Sequence, residues 1–394
     1  MADAPRTSSL GTAGASELFQ LLRDGSPRTR AELAVATGLA RSTIALRVDE
    51  LMGLGLISAV GDAQSTGGRP SSQFALNPGA KFVLAADLGA THATIAISNL
   101  AGISIGEHRG EIDIAAGPEA VLRWMLDTGQ ELLEKNGLSP SDIIAVGIGL
   151  PGPVEHTTGR PANPPIMPGW DGFDVPGFVR NRLSVPVLVD NDVNIMALGE
   201  RAFARPQTEN LVFIKVATGI GAGVISGGRL VLGAQGIAGD IGHVPIARGD
   251  GVACHCGNTG CLEAMASGPA IVRALRASGI EVANSAEVID LVRQGQIDAI
   301  QAVRQAGRDL GEVLTACVSL LNPSVIVVGG HMAAVGEHLI AGVREIIYSR
   351  STPLITSRLE IVQSAAGENA AILGASILAI HYALSPEGID RMAM

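Results

Sequence analysis

The sequence predicts a small helical unit with a β-hairpin, followed by a much longer α/β body built from two lobes. Three observations lead to this prediction. The first eighty residues carry three short helical stripes, and from about residue 81 strand and helix patterns alternate. The alternation restarts at LVFIKVATGIGAGVI, residues 211–225, so the body has two similar halves. With 394 residues, the chain is long enough for each part to bury a core of its own.

Two short helices in the N-terminal unit have the spacing of a helix-turn-helix. Thr29 followed by Glu32 is a capping box that predicts the start of the first helix, which ends at Gly38. The second begins near Ala40 and has an apolar stripe at helical spacing: Ile44, Val48 and Leu51. Two helices joined by a glycine turn, with polar and basic residues on the second, are typical of a DNA-reading unit.

The hairpin after these helices is interpreted as a wing, because a glycine-rich loop joins its two strands. Arg69 lies in this loop between Gly68 and Pro70, where an arginine can enter a minor groove. The candidate DNA-binding residues are Arg41, Ser42, Thr43, Arg47 and Arg69. The alternative is an ordinary three-helix bundle with solvent-facing arginines, since any such bundle has apolar stripes.

Charge limits how the chain could bind nucleic acid. Residues 1–80 contain seven arginines and seven acidic residues, so the net charge of −10 belongs to the rest of the chain. An acidic body argues against a protein that coats nucleic acid, but one arginine-bearing face can still bind DNA. No apolar run approaches about 20 residues, and the first dozen residues lack a signal-peptide pattern. We therefore expect a cytoplasmic protein with no membrane partner.

The most specific motif is GHVPIARGDGVACHCGNTGCLEA, residues 242–264. It contains three closely spaced cysteines: Cys254, Cys256 and Cys261. Three thiolates and one imidazole form the closed tetrahedral shell of a structural zinc ion. His243 and His255 are both candidates for the imidazole, and the alternatives to a metal site are buried reduced cysteines or a disulfide. Cys317 lies in an apolar helical run and is interpreted as a core residue.

At these motifs the body resembles the ROK family of repressors and sugar kinases, over essentially all of residues 81–380. The N-terminal unit resembles the repressor branch, where a GGRP wing followed by LNP, here residues 67–70 and 76–78, recurs. The resemblance implies an all-α, winged-helix N-terminal domain and an α/β, two-lobed, actin-like (ribonuclease-H-like) ROK domain. The expected boundaries are a flexible tail over 1–14, the winged helix-turn-helix over 15–78, a first lobe over 79–200 and a second lobe with the zinc motif over 201–394. The C-terminal helix is expected to pack back on the first lobe.

The resemblance also implies sugar contacts by six residues: Asn163, Asn191, Asp192, Asp240, His243 and Glu263. In the family, the residue matching Asp192 is the general base, so Asp192 would be catalytic only if kinase activity persists. An Asn-Asp turn alone is weak evidence, because turns are rich in both residues. The family usually has Glu at the position of Asp240, and the shorter side chain is expected to change which sugar fits. The family signature favours His243 over His255 in the zinc site.

The loops that hold ATP in this family are altered. The matching nucleotide-binding residues are Asp87, Gly89, Thr91, Thr218, Gly219, Gly221, Gly329 and Gly330. Ala90 and Ala217 replace glycines, and His92 replaces a lysine. A methyl group can clash with a phosphate, and the lost cation would weaken stabilisation of phosphoryl charge. We therefore expect structural Zn²⁺ as the cofactor and do not expect ATP with Mg²⁺.

The prediction is thus a sugar-responsive DNA-binding transcriptional regulator, a repressor of carbohydrate-use genes, with a sugar or sugar phosphate in the cleft between the lobes. Its expected partners are a double-stranded DNA operator, this effector, and further copies of the chain in a homodimer or homotetramer. The alternative is an ATP-dependent hexose kinase that also carries the helix-turn-helix. An assay of ATP-dependent sugar phosphorylation separates the two.

Overall fold

The computed structural model describes residues 13–62 and 71–392. Its N-terminal unit has three helices and a three-stranded sheet. The elements are α1 (Ala13–Gln20), β1 (Arg28–Thr29), α2 (Arg30–Thr37), α3 (Arg41–Gly53), β2 (Ile57–Asp62) and β3 (Ser72–Leu76). The strand order is β1-β3-β2, and β3 is antiparallel to both neighbours. Arg69 lies outside the described residues.

The predicted start of α2 is confirmed. The Thr29 hydroxyl accepts a hydrogen bond from the Glu32 backbone N–H, and the Glu32 carboxylate accepts one from the Thr29 N–H at 2.7 Å. Gly38 ends the helix with φ at 71°, a left-handed conformation that favours glycine. α3 begins after Ala40, which offers no side-chain cap, so its predicted apolar stripe must hold it in place. All three residues of that stripe are fully buried: Ile44, Val48 and Leu51.

Two lobes follow. The first contains β4 (Phe82–Leu88), β5 (His92–Asn99), β6 (Ser104–Glu111), α4 (Pro118–Lys135), β7 (Ile143–Leu150), β8 (Val154–Glu155), β9 (Arg160–Pro161), α5 (Val175–Arg180), β10 (Val187–Asn191) and α6 (Asp192–Ala204). The second begins with β11 (Leu211–Val216), β12 (Ile220–Ser226), β13 (Arg229–Leu230), α7 (Leu262–Ala266), α8 (Gly268–Ala277), α9 (Ser285–Arg293) and α10 (Ile297–Leu321). It continues with β14 (Val325–Gly329), α11 (Glu337–Arg350), α12 (Pro353–Thr356), β15 (Glu360–Gln363), α13 (Ala370–Ala383) and α14 (Pro386–Met392).

The two main sheets share one topology, which explains the repeat seen in the sequence. Their orders are β6-β5-β4-β7-β10 and β13-β12-β11-β14-β15, so the first strand of each sheet lies at its centre. In both, the pairs on one side of that strand are antiparallel and those on the other side are parallel. Parallel strands bring their carboxyl ends to one edge, where ligands of α/β sheets bind.

Helices α6 and α13 pack backbone against backbone. A Cβ added to Gly199 would lie 1.9 Å from the Ala370 carbonyl oxygen, and one added to Gly374 would lie 1.7 Å from that of Ile195. The core around these helices also includes residues from the central strands of both sheets. α13 contacts β4 and β7, so this late helix packs on the first lobe. α6 runs to Ala204, and the expected boundary at residue 200 therefore falls inside a helix.

The N-terminal unit shares an apolar core with the end of the chain. Residues of α1 and α3 lie in the same cluster as Ile380 and Leu384. The Gln20 side-chain amide donates a hydrogen bond to the Leu384 carbonyl oxygen at 2.9 Å. Because α1 begins at Ala13, the expected boundary at residue 14 also falls inside a helix.

Within the part of the chain that the structure describes, no single helix is long and apolar enough to span a membrane. The bent pair Gly367–Ala383 and Pro386–Met392, at 68°, passes that test only when its two helices are taken together.

Candidate functional site

A cavity of about 2390 Å³ separates the two lobes, and every predicted sugar and nucleotide residue lines it. These residues are Asp87, Gly89, Thr91, Asn163, Asn191, Asp192, Thr218, Gly219, Gly221, Asp240, His243, Glu263, Gly329 and Gly330. Several follow the carboxyl ends of strands, the position from which α/β sheets present ligand contacts. The structure therefore brings the predicted set together, and the role of each residue stays a prediction.

Asn191 and Asp192 lie where β10 passes into α6. Asn191 caps the helix by accepting a hydrogen bond from the Val193 N–H at 3.0 Å, and its amide donates to the Gly152 carbonyl oxygen at 2.8 Å. Its side chain thus fixes the start of α6 before any ligand binds. Asp192 is the first helical residue and is buried, where the positive end of the helix dipole favours its negative charge.

Lys215 is the residue of this site that the sequence did not reveal. It projects from β11 in the second lobe, and its ammonium group donates a hydrogen bond to the Asp192 carboxylate. Burial lowers the pKa of Lys215, but the charges of Asp192 and Asp87 outweigh it, and the pKa lies above its ordinary value. A charged lysine is therefore bonded to the carboxylate that matches the family's base.

Asp87 and His92, on the first glycine-rich loop and the strands beside it, both have shifted pKa values. Burial, followed by the charge of Asp192, raises the pKa of Asp87 to about 7, so this carboxyl is partly protonated at neutral pH. Burial and the charge of Lys215 lower the pKa of His92. A neutral imidazole does not replace the cation that the family carries at this position.

The glycine-rich loops make internal contacts that explain their composition. The Glu263 carboxylate accepts a hydrogen bond from the Ile220 N–H at 3.0 Å, inside the loop that would face a phosphate. Gly330 has φ at 81°, and a Cβ there would lie 2.6 Å from the Val216 carbonyl oxygen. The fold thus needs glycine at this turn whether or not a nucleotide binds. Ala90, Ala217 and the neutral imidazole of His92 make this a poorer phosphate site than the glycines and lysine of the family pattern.

The predicted metal residues converge. The candidate ligand atoms of His243, Cys254, Cys256 and Cys261 all lie within 4.8 Å of one another. Nδ1 of His243 is 3.7 Å from Sγ of Cys254, and Sγ of Cys256 is 3.7 Å from Sγ of Cys261. This donor set and spacing fit a tetrahedral zinc ion, which these four residues would hold. The rival imidazole, His255, is not part of the cluster.

The predicted DNA-binding residues of α3 divide into two groups. Arg41 and Ser42 are exposed, whereas Thr43 and Arg47 are half-buried. The Arg47 guanidinium lies over Gly14 of α1, because a Cβ there would be 2.0 Å from Nη2. The sequence missed Leu46, which is 70% exposed near the middle of α3. The signal in the sequence is that Leu46 falls outside the apolar stripe of α3, among its polar positions.

Comparison with known proteins agrees with this architecture. The xylose repressor of Bacillus spizizenii is 29% identical over 368 residues, covering 93% of this chain and 94% of that protein. A solved ROK family transcriptional regulator, a homologue of the Escherichia coli MLC protein, has a TM-score of 0.84 at 26% identity and covers 97% of this chain and 98% of its own. The ROK family glucokinase of Streptomyces griseus, solved with glucose and AMPPNP, has a TM-score of 0.63 at 26% identity and covers 76% of this chain and 99% of its own.

The regulators are thus similar to this chain over nearly its whole length. The kinase matches 76% of the chain, which is close to the part that the two lobes occupy. The model of the ROK family matches residues 83–382, a span that contains every residue of the cleft named above. The chain belongs to the ROK family.

Proposed function

We propose that the chain is a sugar-responsive transcriptional repressor, in which the N-terminal unit binds operator DNA and the cleft binds the sugar. The observation that carries the proposal is the shared core between this unit and the C-terminal end of the two-lobed body. A sugar kinase needs no such unit, whereas a ligand-controlled DNA-binding protein needs both parts in contact. The similarity to a xylose repressor over 94% of that protein's length supports the same conclusion.

In this proposal the N-terminal unit is a winged helix-turn-helix. α3 is the recognition helix, with Arg41 and Ser42 exposed at its start, and the β2–β3 hairpin is the wing. Operators of such proteins carry two half-sites, so the chain would bind as a homodimer or homotetramer. Because it acts on DNA, we place it in the cytoplasm.

The sugar would bind between Asp192, at the start of α6, and the metal-bearing loop. Its hydroxyl groups would bridge the two lobes and favour a closed cleft. α6 packs backbone against backbone on α13, whose end joins the core of the N-terminal unit. A change in lobe spacing would therefore shift the population of DNA-competent arrangements.

A structural zinc ion is part of the proposal. His243, Cys254, Cys256 and Cys261 would hold it, and bound zinc supplies a rigid cross-link for the loop that forms one wall of the cleft. His243 would then have one ring nitrogen on the metal and the other directed at the sugar pocket.

A hexose kinase is the alternative function. Asp192, Asp87 and Thr218 are retained, but Asp192 is bonded to Lys215, Ala90 and Ala217 replace glycines, and the neutral His92 replaces a lysine. We therefore propose that the chain does not phosphorylate its sugar.

The test begins with selection of binding sites from a randomised duplex DNA library by the purified chain. The enriched duplex is then titrated with protein in the presence of xylose, glucose or N-acetylglucosamine. We expect a two-fold symmetric sequence to be enriched and one sugar to weaken its binding. Failure to enrich any sequence would contradict the repressor proposal, and ATP-dependent sugar phosphorylation that Asp192→Asn abolishes would support the kinase.

A further inference from the structure

In one region of the cleft, where the family's fold would bind phosphate, the chain's own basic and N–H groups are hydrogen-bonded to its own carboxylates. We call the part lined by His92, Arg109, Lys215 and Ile220 the phosphate end, because the altered glycine-rich loops meet there. The charges and hydrogen bonds at this end determine which class of ligand the cleft accepts.

Lys215 provides the positive charge at this end. It is one of only three lysines in the sequence, and its side chain is 23% exposed. The ammonium bonds to Asp192 and also feels the charge of Asp87, which lies on β4 of the opposite lobe. Lys215 is thus bonded to Asp192 and lies near Asp87, in the part of the cleft where a kinase would need a divalent cation.

Two other groups at this end that could bind a phosphate have carboxylate partners within the chain. Arg109 donates to Glu107 at 2.9 Å and to Glu368 at 3.1 Å. The backbone N–H of Ile220 donates to Glu263. A phosphate entering this end would have to displace carboxylates and would remain beside them, which costs electrostatic free energy.

An uncharged sugar meets no such penalty. A hydroxyl group both donates and accepts hydrogen bonds, so it can donate to a carboxylate oxygen of Asp192 and accept from a free N–H of Lys215. The ion pair then orients the sugar without being broken.

We propose that Lys215 is a resident cation that neutralises the phosphate end, so that the cleft takes an uncharged sugar and excludes Mg²⁺, nucleotide and sugar phosphates. This inference rests on the proposed sugar-binding role of the cleft, and it selects between the sugar and the sugar phosphate. Lys215 is therefore a specificity-determining residue.

The first test measures binding of Mn²⁺, which prefers the same carboxylate and water ligands as Mg²⁺. Electron paramagnetic resonance counts the Mn²⁺ bound to zinc-loaded, full-length protein without sugar, nucleotide or DNA. We expect no cleft-bound Mn²⁺ in the wild type or in Lys135→Met, a control at an exposed lysine at the end of α4. Lys215→Met leaves Asp87 and Asp192 without their cation, and we expect about one additional Mn²⁺ per chain.

Adding Asp192→Asn to Lys215→Met should abolish the additional Mn²⁺, which separates the cleft from acidic groups on the surface. A merely structural role of Lys215 would produce no gain of metal binding. The inference is overturned if folded Lys215→Met gains no Mn²⁺, or if the wild type already binds Mn²⁺ through Asp192.

A second measurement needs only the wild type and covers the case in which Lys215→Met does not fold. Thermal shifts are recorded with glucose and xylose, with the corresponding sugar phosphates, and with Mg²⁺-AMPPNP. We expect stabilisation by an uncharged sugar and no shift with its phosphate or with the nucleotide. Stabilisation by Mg²⁺-AMPPNP or by a sugar phosphate would overturn the inference. Neither experiment involves DNA, so a negative result here leaves the DNA-binding proposal standing and failed operator selection leaves this one standing.

Discussion

Nε2 of His243 lies 3.9 Å from Oδ1 of Asp240, while Nδ1 of the same ring faces Sγ of Cys254 at 3.7 Å. One imidazole therefore connects the candidate metal cluster to the candidate sugar pocket. A metal-bound histidine almost always donates its second N–H to a carboxylate, a backbone carbonyl or a water molecule, and a carboxylate also strengthens it as a ligand. The Asp240 carboxylate, at 3.9 Å, is the group nearest to this role, although the separation is longer than a hydrogen bond, and Asp240 also lines the cavity.

We predict that Asp240→Ala weakens zinc retention by about 10–100-fold, the usual effect of losing such a carboxylate partner. Competition with a chromogenic chelator measures the affinity. Asp250→Ala, at an exposed aspartate of the same loop, is the control and should retain zinc like the wild type. Equal zinc affinity in all three proteins would show that Asp240 does not support the metal ligand.

Cysteine substitutions distinguish a metal site from a cluster of reduced thiols. Cys254→Ser should reduce the zinc content from about one ion per chain toward none and lower the midpoint of thermal unfolding, because a structural zinc ion contributes directly to folding. Cys317→Ser is the control, because that thiol lies on α10 away from the cluster. Elemental analysis of protein purified without chelator checks the prediction, and a wild type that contains no zinc would contradict it.

Local signals in the sequence predicted much of the fold and the site. The capping box at Thr29, the left-handed Gly38 and the repeat of strand patterns depend on neighbouring residues, so they can be read without the structure. Lys215 could not be identified in this way. It occurs in LVFIKV, a run that predicts only a buried strand, and its partner Asp192 lies 23 residues earlier, at the start of a helix in the other lobe.

The N-terminal unit illustrates the same limit. Helical spacing placed Arg47 on the polar side of α3, but α1 covers it through Gly14, which has no side chain to prevent close approach. Leu46 is therefore more exposed than Arg47, because the orientation of a helix against its neighbours depends on the whole unit and not on spacing alone.

Arg41 provides the test of the recognition helix. Because it is exposed at the start of α3, Arg41→Ala should weaken binding to the selected operator by about 1–3 kcal/mol if it contacts a base edge. Arg123→Ala, at an exposed arginine of α4 on the body, is the matched control and should bind like the wild type. Fluorescence anisotropy with labelled duplex measures both. Unchanged affinity in Arg41→Ala would require a different DNA-contacting surface.

Asp87 makes the stability of the fold depend on pH. Its pKa is about 7 in the folded chain, against an ordinary value of 3.8. Between these values the folded protein holds a proton that the unfolded chain has lost, so the free energy of unfolding falls as pH rises through this range. Asp87→Asn should remove that slope and raise the unfolding midpoint at about pH 8 relative to the wild type. Glu111→Gln, at an exposed residue of the same cleft, should keep the slope. If the free energy of unfolding depends on pH in the same way in the wild type and in Asp87→Asn, the raised pKa is contradicted.

Removing the contact between Gln20 and Leu384 tests whether sugar binding in the cleft affects DNA binding through the shared core. Gln20→Ala removes the hydrogen bond from the N-terminal unit to the end of α13 while leaving the sugar cleft and the surface of α3 untouched. We expect sugar affinity to be retained and the effect of sugar on operator affinity, typically about 1–3 kcal/mol for coupled sites, to decrease. Operator dissociation constants measured with and without saturating sugar give this coupling directly. Gln130→Ala on α4, which loses only a contact with Glu134 on the same helix, should leave the coupling at the wild-type value. If Gln20→Ala also leaves it unchanged, the signal reaches the DNA-binding unit by another route, such as a change in the spacing of two copies within an oligomer.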